Sequence, residues 1–103
     1  MIAMLKAQIP GHAYKQAAQA FMSPDIPKRN EAVKEIGSIG YYDDGGAQVV
    51  FLFDVPDALM SEFVLIQSKR TAFISARAPG FNASIQYGQK LSEGIPVLLP
   101  MYP

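Results

Sequence analysis

The stretch GYYDDGGAQVVFLFDV, residues 40–55, decides the fold, because a glycine turn in it is followed by a strand that is apolar on both faces. Aspartate and glycine tolerate the positive φ angles of tight hairpins, so DGG, residues 44–46, predicts a turn between two antiparallel strands. We place these strands at residues 38–43 and 47–55. A strand in a two-layer domain normally needs one apolar side, so the run VVFLF indicates that something also covers its second side.

The chain before this hairpin predicts a strand and a helix in two pieces. MIAMLKAQI, residues 1–9, is compatible with a strand that ends at the Pro-Gly break after it. Apolar residues then recur at helical spacing over residues 14–21 and, after the prolines of SPDIP, over residues 28–36. Gly37 ends this predicted helix.

The chain after the hairpin predicts a second helix. VPDAL favours a helix start, since it places a proline and an acid in the first turn. The buried stripe of this helix is predicted to be Leu59, Phe63 and Ile66. The pattern leaves residues 68–82 open between a continued helix, a bend and a short strand over residues 71–77.

The end of the chain completes an α+β order of elements. NASIQYG, residues 82–88, is predicted as the fourth strand, and the proline-rich residues 90–103 as an extended tail. Strand, helix, strand, strand, helix, strand is the order of a ferredoxin-like βαββαβ sandwich, in which strands one and three are central. We assign residues 1–103 to this one domain.

Alternation along the strands divides their side chains between two faces of the sheet. The face predicted to pack on the helices carries Ala3, Leu5, Ala7, Ile39, Tyr41, Val49, Phe51, Phe53, Ile85 and Tyr87. The opposite face is half apolar and half polar, and carries Ile2, Met4, Lys6, Gln8, Tyr42, Gln48, Val50, Leu52, Asp54, Ser84 and Gln86. A second copy of the chain would cover this face and leave a cavity between two sheets.

On this order of elements, and locally on IGSIGYYDDGGAQVVFLFDVPDAL, the chain resembles the dimeric α/β-barrel superfamily. That superfamily contains muconolactone isomerases, cofactor-free antibiotic-type monooxygenases and many small proteins of unknown function. Two ferredoxin-like sheets face each other in its members. The resemblance therefore implies a homodimer with a cavity, and no particular chemistry, because the superfamily has no shared catalytic motif.

Other domains with this order of elements fit the residues less well. An RNA-recognition domain stacks bases on aromatic residues of strand three, where this chain has Ala47 and Val49. An acylphosphatase needs an arginine in the loop after strand one, and PGHAYKQ has none. An ACT-type regulatory domain often has Pro-Gly at the end of strand one, as at Pro10-Gly11, so this reading stays open as a minor alternative.

Composition narrows the classes of partner. Nine basic residues balance nine acidic ones, and the basic pairs Lys28-Arg29 and Lys69-Arg70 are interpreted as solvated helix surface, so we expect neither a nucleic-acid nor a membrane partner. The absence of cysteine excludes disulfides and thiol catalysis and suits a cytoplasmic protein. No cofactor or metal is expected, because the single histidine has no second ligand at metal-binding spacing.

A few residues at or near the half-polar face are candidates for chemistry. His12, after strand one, could act as a general base, or be a solvated residue of the first helical turn. Tyr42 could donate a proton or a hydrogen bond to a bound oxygen. Asp54 could contact a ligand or cap the next helix. The remaining predicted ligand contacts are Met4, Lys6, Leu52 and Gln86, of which Lys6 and Gln86 could instead form hydrogen bonds across the dimer.

Two functions of different classes follow. The first is a homodimeric α/β-barrel protein that encloses a small apolar or aromatic molecule, as a cofactor-free oxygenase, isomerase or cyclase. The second is a non-catalytic binding or assembly module. The sequence leaves open whether the protein is an enzyme.

Overall fold

The computed structural model describes residues 1–98 and 100. Its strands and helices follow the order β1 (Ile2–Ile9), α1 (Tyr14–Phe21), β2 (Lys34–Asp43), β3 (Gly46–Asp54), α2 (Met60–Ser75), β4 (Asn82–Gly88) and α3 (Leu91–Leu98). Short 3-10 turns, Gly11–Ala13 and Asp57–Leu59, lead into α1 and α2. The fold is thus α+β.

The four strands form one antiparallel sheet in the order β2-β3-β1-β4. This confirms that strands one and three are central, and the arrangement is compatible with a ferredoxin-like fold. The predicted hairpin is also present. Gly46 has φ +110°, and a Cβ there would collide with the carbonyl oxygen of Ile9, so the turn requires glycine at this position.

The predicted second piece of helix one is wrong. Residues 28–33 are a loop with a turn at residues 31–32, and Lys34–Asp43 is already β2. The side chain of Asn30 accepts a hydrogen bond from the backbone N–H of Ala32 at 2.9 Å, a local turn that competes with helix. Pairing of Lys34 with Asp54 then extends the backbone as a sheet edge.

The ends of the second helix and of the chain also differ from expectation. The helix α2 continues through residue 75, which settles part of the segment that the sequence left open. The extended tail predicted for residues 90–103 is wrong over Leu91–Leu98, which form α3 with Pro96 inside the helix. Proline has a helical φ, although inside a helix it removes one backbone donor and crowds the preceding turn, while Glu93 lies in the favourable first turn. Residues 99 and 101–103 of the predicted tail lie outside the described residues.

The register of β2 corrects the predicted sheet faces. Directly opposite residues of antiparallel strands share a face. Tyr41 pairs with Gln48 and Tyr42 with Ala47, so Tyr42 lies on the helix side and Tyr41 on the other, the reverse of the prediction. Ile39, opposite Val50, likewise moves to the side away from the helices. The register of β2 is irregular between Glu35 and Gly37, and the side chains of this edge strand are highly exposed. The strand therefore lacks the alternation of buried and exposed residues that would have shown which side chains face the helices.

The helices α1 and α2 pack on the sheet side that carries Phe51 and Phe53, and we call the opposite side the open face. The core is divided into two clusters. One joins α1 to the end of α2, and its buried members are Ala13, Ala17, Ala20, Ile26, Ile74 and Ala78. The other joins the sheet centre to the start of α2, and its buried members are Ala3, Leu5, Phe53, Val55 and Phe63.

In the part of the chain that the structure describes, none of the helices combines the length and the apolarity that crossing a bilayer requires.

Candidate ligand-binding cavity

A cavity of about 200 Å³ lies between the sheet, α1 and α2, where the two core clusters meet. Its lining is mostly apolar and consists of Leu5, Ala7, Ile9, Tyr14, Ala17, Ala18, Phe21, Arg29, Val49, Phe51, Gln67, Arg70, Ile74 and Phe81. The space exists because α1 presents alanines to the sheet. Side chains as short as Ala17 and Ala18 cannot fill the distance between a helix and a sheet.

Arg29 reaches the cavity from the loop between α1 and β2. Ile26, 8% exposed, anchors this loop in the core, and Asn30 Nδ2 donates to Glu62 Oε2 at 3.3 Å across to α2. The Arg29 guanidinium lies 4.5 Å from the ring centroid of Phe53, a cation–π arrangement. Its Nη1 is buried and has no hydrogen-bond partner among residues 1–98 and 100.

Arg70 reaches the same cavity from the middle of α2. Its Nη1 donates to the carbonyl oxygen of Pro27 at 2.6 Å, so it also fixes the loop that carries Arg29. Its guanidinium lies 5.6 Å from the ring centroid of Phe21. Phe21 in turn stacks on Phe51, with their centroids 6.2 Å apart. The rings of Phe21, Phe51 and Phe53 therefore lie in one row, and the two ends of the row contact the guanidinium groups of Arg70 and Arg29.

The two arginines are positive groups in a partly dry site. Burial, and next the charge of Arg70, lowers the pKa of Arg29 to about 10, while Glu35 acts in the opposite direction. Burial also lowers the pKa of Arg70. Arg29 stays charged at neutral pH, because a pKa of about 10 is far above it. In the described part of the chain the only ion pair joins the amino group of Met1 to Asp57, so neither arginine has a carboxylate within salt-bridge distance.

Gln67 is the third polar group of the lining. It is 4% exposed and lies between the cavity and a more open depression bounded by α2 and β4. Its Nε2 donates to Thr71 Oγ1 at 3.1 Å. Its Oε1 is buried and accepts no hydrogen bond from the described residues. The lining thus holds an unused acceptor as well as the unused donor of Arg29.

Tyr14, which is 47% exposed, borders the cavity and interacts with Tyr42. Interaction with the Tyr14 side chain raises the pKa of Tyr42, whose own side chain is 77% exposed. Only Tyr14 lines the cavity. The phenol of Tyr14 therefore adds one more polar group to the lining.

The residues predicted from the sequence lie mainly on the open face. Met4 pairs with Leu52 on one side and Gln86 on the other, so these three form one row across the sheet. Lys6 lies in the next row on the same face, between Val50 and Ser84.

The other three predicted residues are apart from this row. Asp54 lies opposite Ile2, and no side chain caps the turn or the helix that follows it, so its predicted capping role is wrong. His12 is exposed in the turn after β1, at the other end of the sheet. Tyr42 is on the helix side. The structure brings together Met4, Leu52 and Gln86, and separates them from His12 and Tyr42.

The polar groups of the cavity were missed, because both arginines belong to basic pairs that were interpreted as solvated surface. A signal was present in α2. Phe63, Gln67, Arg70 and Ile74 recur at helical spacing, so the buried stripe continues through two polar residues where the prediction ended it at Ile66. Polar residues in a buried stripe indicate either internal partners or a ligand.

Metal binding has no candidate cluster in this part of the protein. No group of three or more His, Asp or Glu side chains that could hold a metal ion occurs among residues 1–98 and 100.

Comparison of the sequence with protein-family models gives no match, and comparison with curated proteins gives none either.

Proposed function

We propose that the protein binds a small apolar or aromatic molecule in the cavity between α1, α2 and the sheet. The observation that carries this proposal is an apolar space of about 200 Å³ with polar groups concentrated on Arg29, Gln67 and Arg70. Ligand sites are typically apolar with a few polar groups that orient the ligand. An apolar cavity of about 150 Å³ is enough for a benzene ring.

The position of this cavity changes where the ligand is expected. The sequence predicts it between two sheets, on the open face. The helix-side cavity is lined by residues of one chain and needs no second copy to form.

A second proposal concerns the open face. Following the resemblance to the dimeric α/β-barrel superfamily, we propose that a second copy of the chain covers it. The support is the exposure of apolar side chains there, 62% for Ile39, 47% for Tyr41 and 36% for Leu52. Clustered exposed apolar residues favour an interface. A cofactor-free oxygenase, isomerase or cyclase reaction stays a separate prediction, because no contact described above favours it over binding.

Filling the cavity tests the first proposal. Ala18→Leu places a larger side chain into it with little change in helix propensity, so we expect binding of 3-phenylpropanamide and 3-phenylpropanoate to weaken by at least about tenfold while the thermal midpoint does not fall. Gln16→Leu, on the exposed side of α1, is the matched control and keeps wild-type binding. Isothermal titration calorimetry measures the affinities. Wild-type affinity in Ala18→Leu, or no binding of either probe to the wild type, would contradict the proposal.

A further inference from the structure

We infer that the ligand of this cavity is a carboxylic acid with an apolar body, and that Arg29 and Arg70 together bind its carboxylate. The inference rests on the proposed function, since it names the class of molecule that the cavity takes. It concerns two residues that come from distant parts of the chain and meet at one cavity.

The first support is that no salt bridge within the described residues neutralises the positive charges of Arg29 and Arg70. Bringing two guanidinium groups together in a partly buried site costs free energy, unless an anion offsets their charges. Glu35 is the acid that acts on Arg29, yet it is exposed and forms no salt bridge with it within the described residues. A bound anion would offset the charges of both arginines at once.

The second support is the unused hydrogen-bonding capacity. The buried Nη1 of Arg29 has no acceptor in the described part of the chain. Arg70 uses its Nη1 on Pro27, which fixes its guanidinium and leaves its other N–H groups for a ligand. A carboxylate has two acceptor oxygens, one for each arginine, and guanidinium groups match its planar geometry.

The apolar remainder of the lining selects the rest of the ligand. Phe21, Phe51 and Phe81 contribute aromatic rings, and Ala7, Ala17 and Val49 contribute aliphatic surface. An aromatic or aliphatic acid buries its body against these groups while its charge meets the arginines. A ligand with a second charge at its far end would leave that charge unpaired in apolar surroundings.

The experiment compares 3-phenylpropanoate with its uncharged amide by isothermal titration calorimetry. A charge-assisted hydrogen bond is worth more than a neutral one, so we expect the acid to bind about ten- to a hundredfold more tightly than the amide. Arg29→Gln leaves only Arg70 for the carboxylate, so it is expected to reduce this preference by about tenfold and to leave amide binding within about threefold. Arg77→Gln has the same change of net charge, at an exposed arginine outside the cavity lining, and is expected to keep the preference.

Arg29→Lys keeps the charge without the planar fork, and we expect it to keep part of the preference. It also serves if Arg29→Gln does not fold, which circular dichroism would show. Equal binding of acid and amide to the wild type would overturn the inference and leave the proposed function standing. An equal loss in Arg77→Gln and Arg29→Gln would also overturn it, because the effect would then be one of overall charge. Absence of binding by both probes would remove the proposed function itself.

Discussion

Gln67 is the one polar residue among the buried side chains of the described part of the chain. A buried acceptor without a donor costs roughly 1–3 kcal/mol, so this residue lowers stability when the cavity has no ligand. Natural proteins tolerate such a cost mainly where a group serves binding. A ligand hydroxyl or N–H directed at Oε1 would relieve it.

We expect Gln67→Leu to stabilise the protein, because leucine has a similar size and no unpaired oxygen. A gain of about 1 kcal/mol in the free energy of unfolding corresponds to a rise of about 4 °C in the thermal midpoint of a domain of this size. Differential scanning calorimetry measures it, with Gln16→Leu on exposed α1 as the control for added apolar surface. A lower midpoint in Gln67→Leu would show that Oε1 has a partner after all.

The sequence did not predict which side chains line the cavity, and the reason is physical. Whether an arginine is solvated or enters a cavity depends on the packing around it, and Arg29 is in a loop whose course is set by Asn30 and by contacts with α2. Arg70 was accessible in principle, since it shares a helical face with Phe63 and Ile74. Nothing in the sequence indicated that Tyr42 lies on the helix side of the sheet or that its side chain is exposed.

The elements themselves were predicted well where local chemistry dominates. The β2–β3 turn needed glycine, and Asp43 Oδ1 accepts a hydrogen bond from the Gly45 N–H at 2.8 Å. β1, β3 and β4 have strong strand patterns. The start of β2 was mistaken for helix because Ala32, Val33 and Ile36 also fit helical spacing, and only pairing with β3 decides between the two.

Along β3, we expect Phe53→Ala to cost more stability than Phe51→Ala. Phe53 is 5% exposed and contacts Phe63 with ring centroids 5.5 Å apart, so its loss leaves a new cavity at a cost of about 3–5 kcal/mol. Phe51 already borders a cavity and is less buried than Phe53, so its cost should be lower by about 1 kcal/mol or more. Urea titrations of both variants measure the difference. Equal costs would mean that the space beside Phe51 is filled.

At the scale of the whole molecule, the open face is a half-apolar surface whose central row contains Met4 and Leu52. The sequence predicted the composition of this face on β1, β3 and β4, and misplaced the contribution of β2. Whether another molecule covers this face depends on association between molecules, which the sequence pattern of one chain does not determine.

We expect the protein to be a dimer, and Leu52→Glu to dissociate it, because a carboxylate there would lose water without gaining a partner. Lys6→Met is the control on the same face, and should leave the dimer intact because it removes a charge and keeps the apolar stem. Light scattering at micromolar concentration distinguishes the 11.2 kDa chain from twice that mass. A monomeric wild type, or a dimeric and equally stable Leu52→Glu, would show that the open face is in contact with solvent.

The order of strands has a consequence for synthesis on the ribosome. β1 is made first, yet its neighbours in the sheet are β3 and β4, and Ile2 pairs with Gly88. In the nascent chain, the apolar strand β1 therefore has no pairing partner until β3 has been translated. Its second edge has unpaired backbone groups until β4 has been translated as well. Pairing over such sequence separations slows folding. The nascent chain is thus most prone to aggregation before β4 has been made and has paired with β1. Chaperone binding in that interval would protect it.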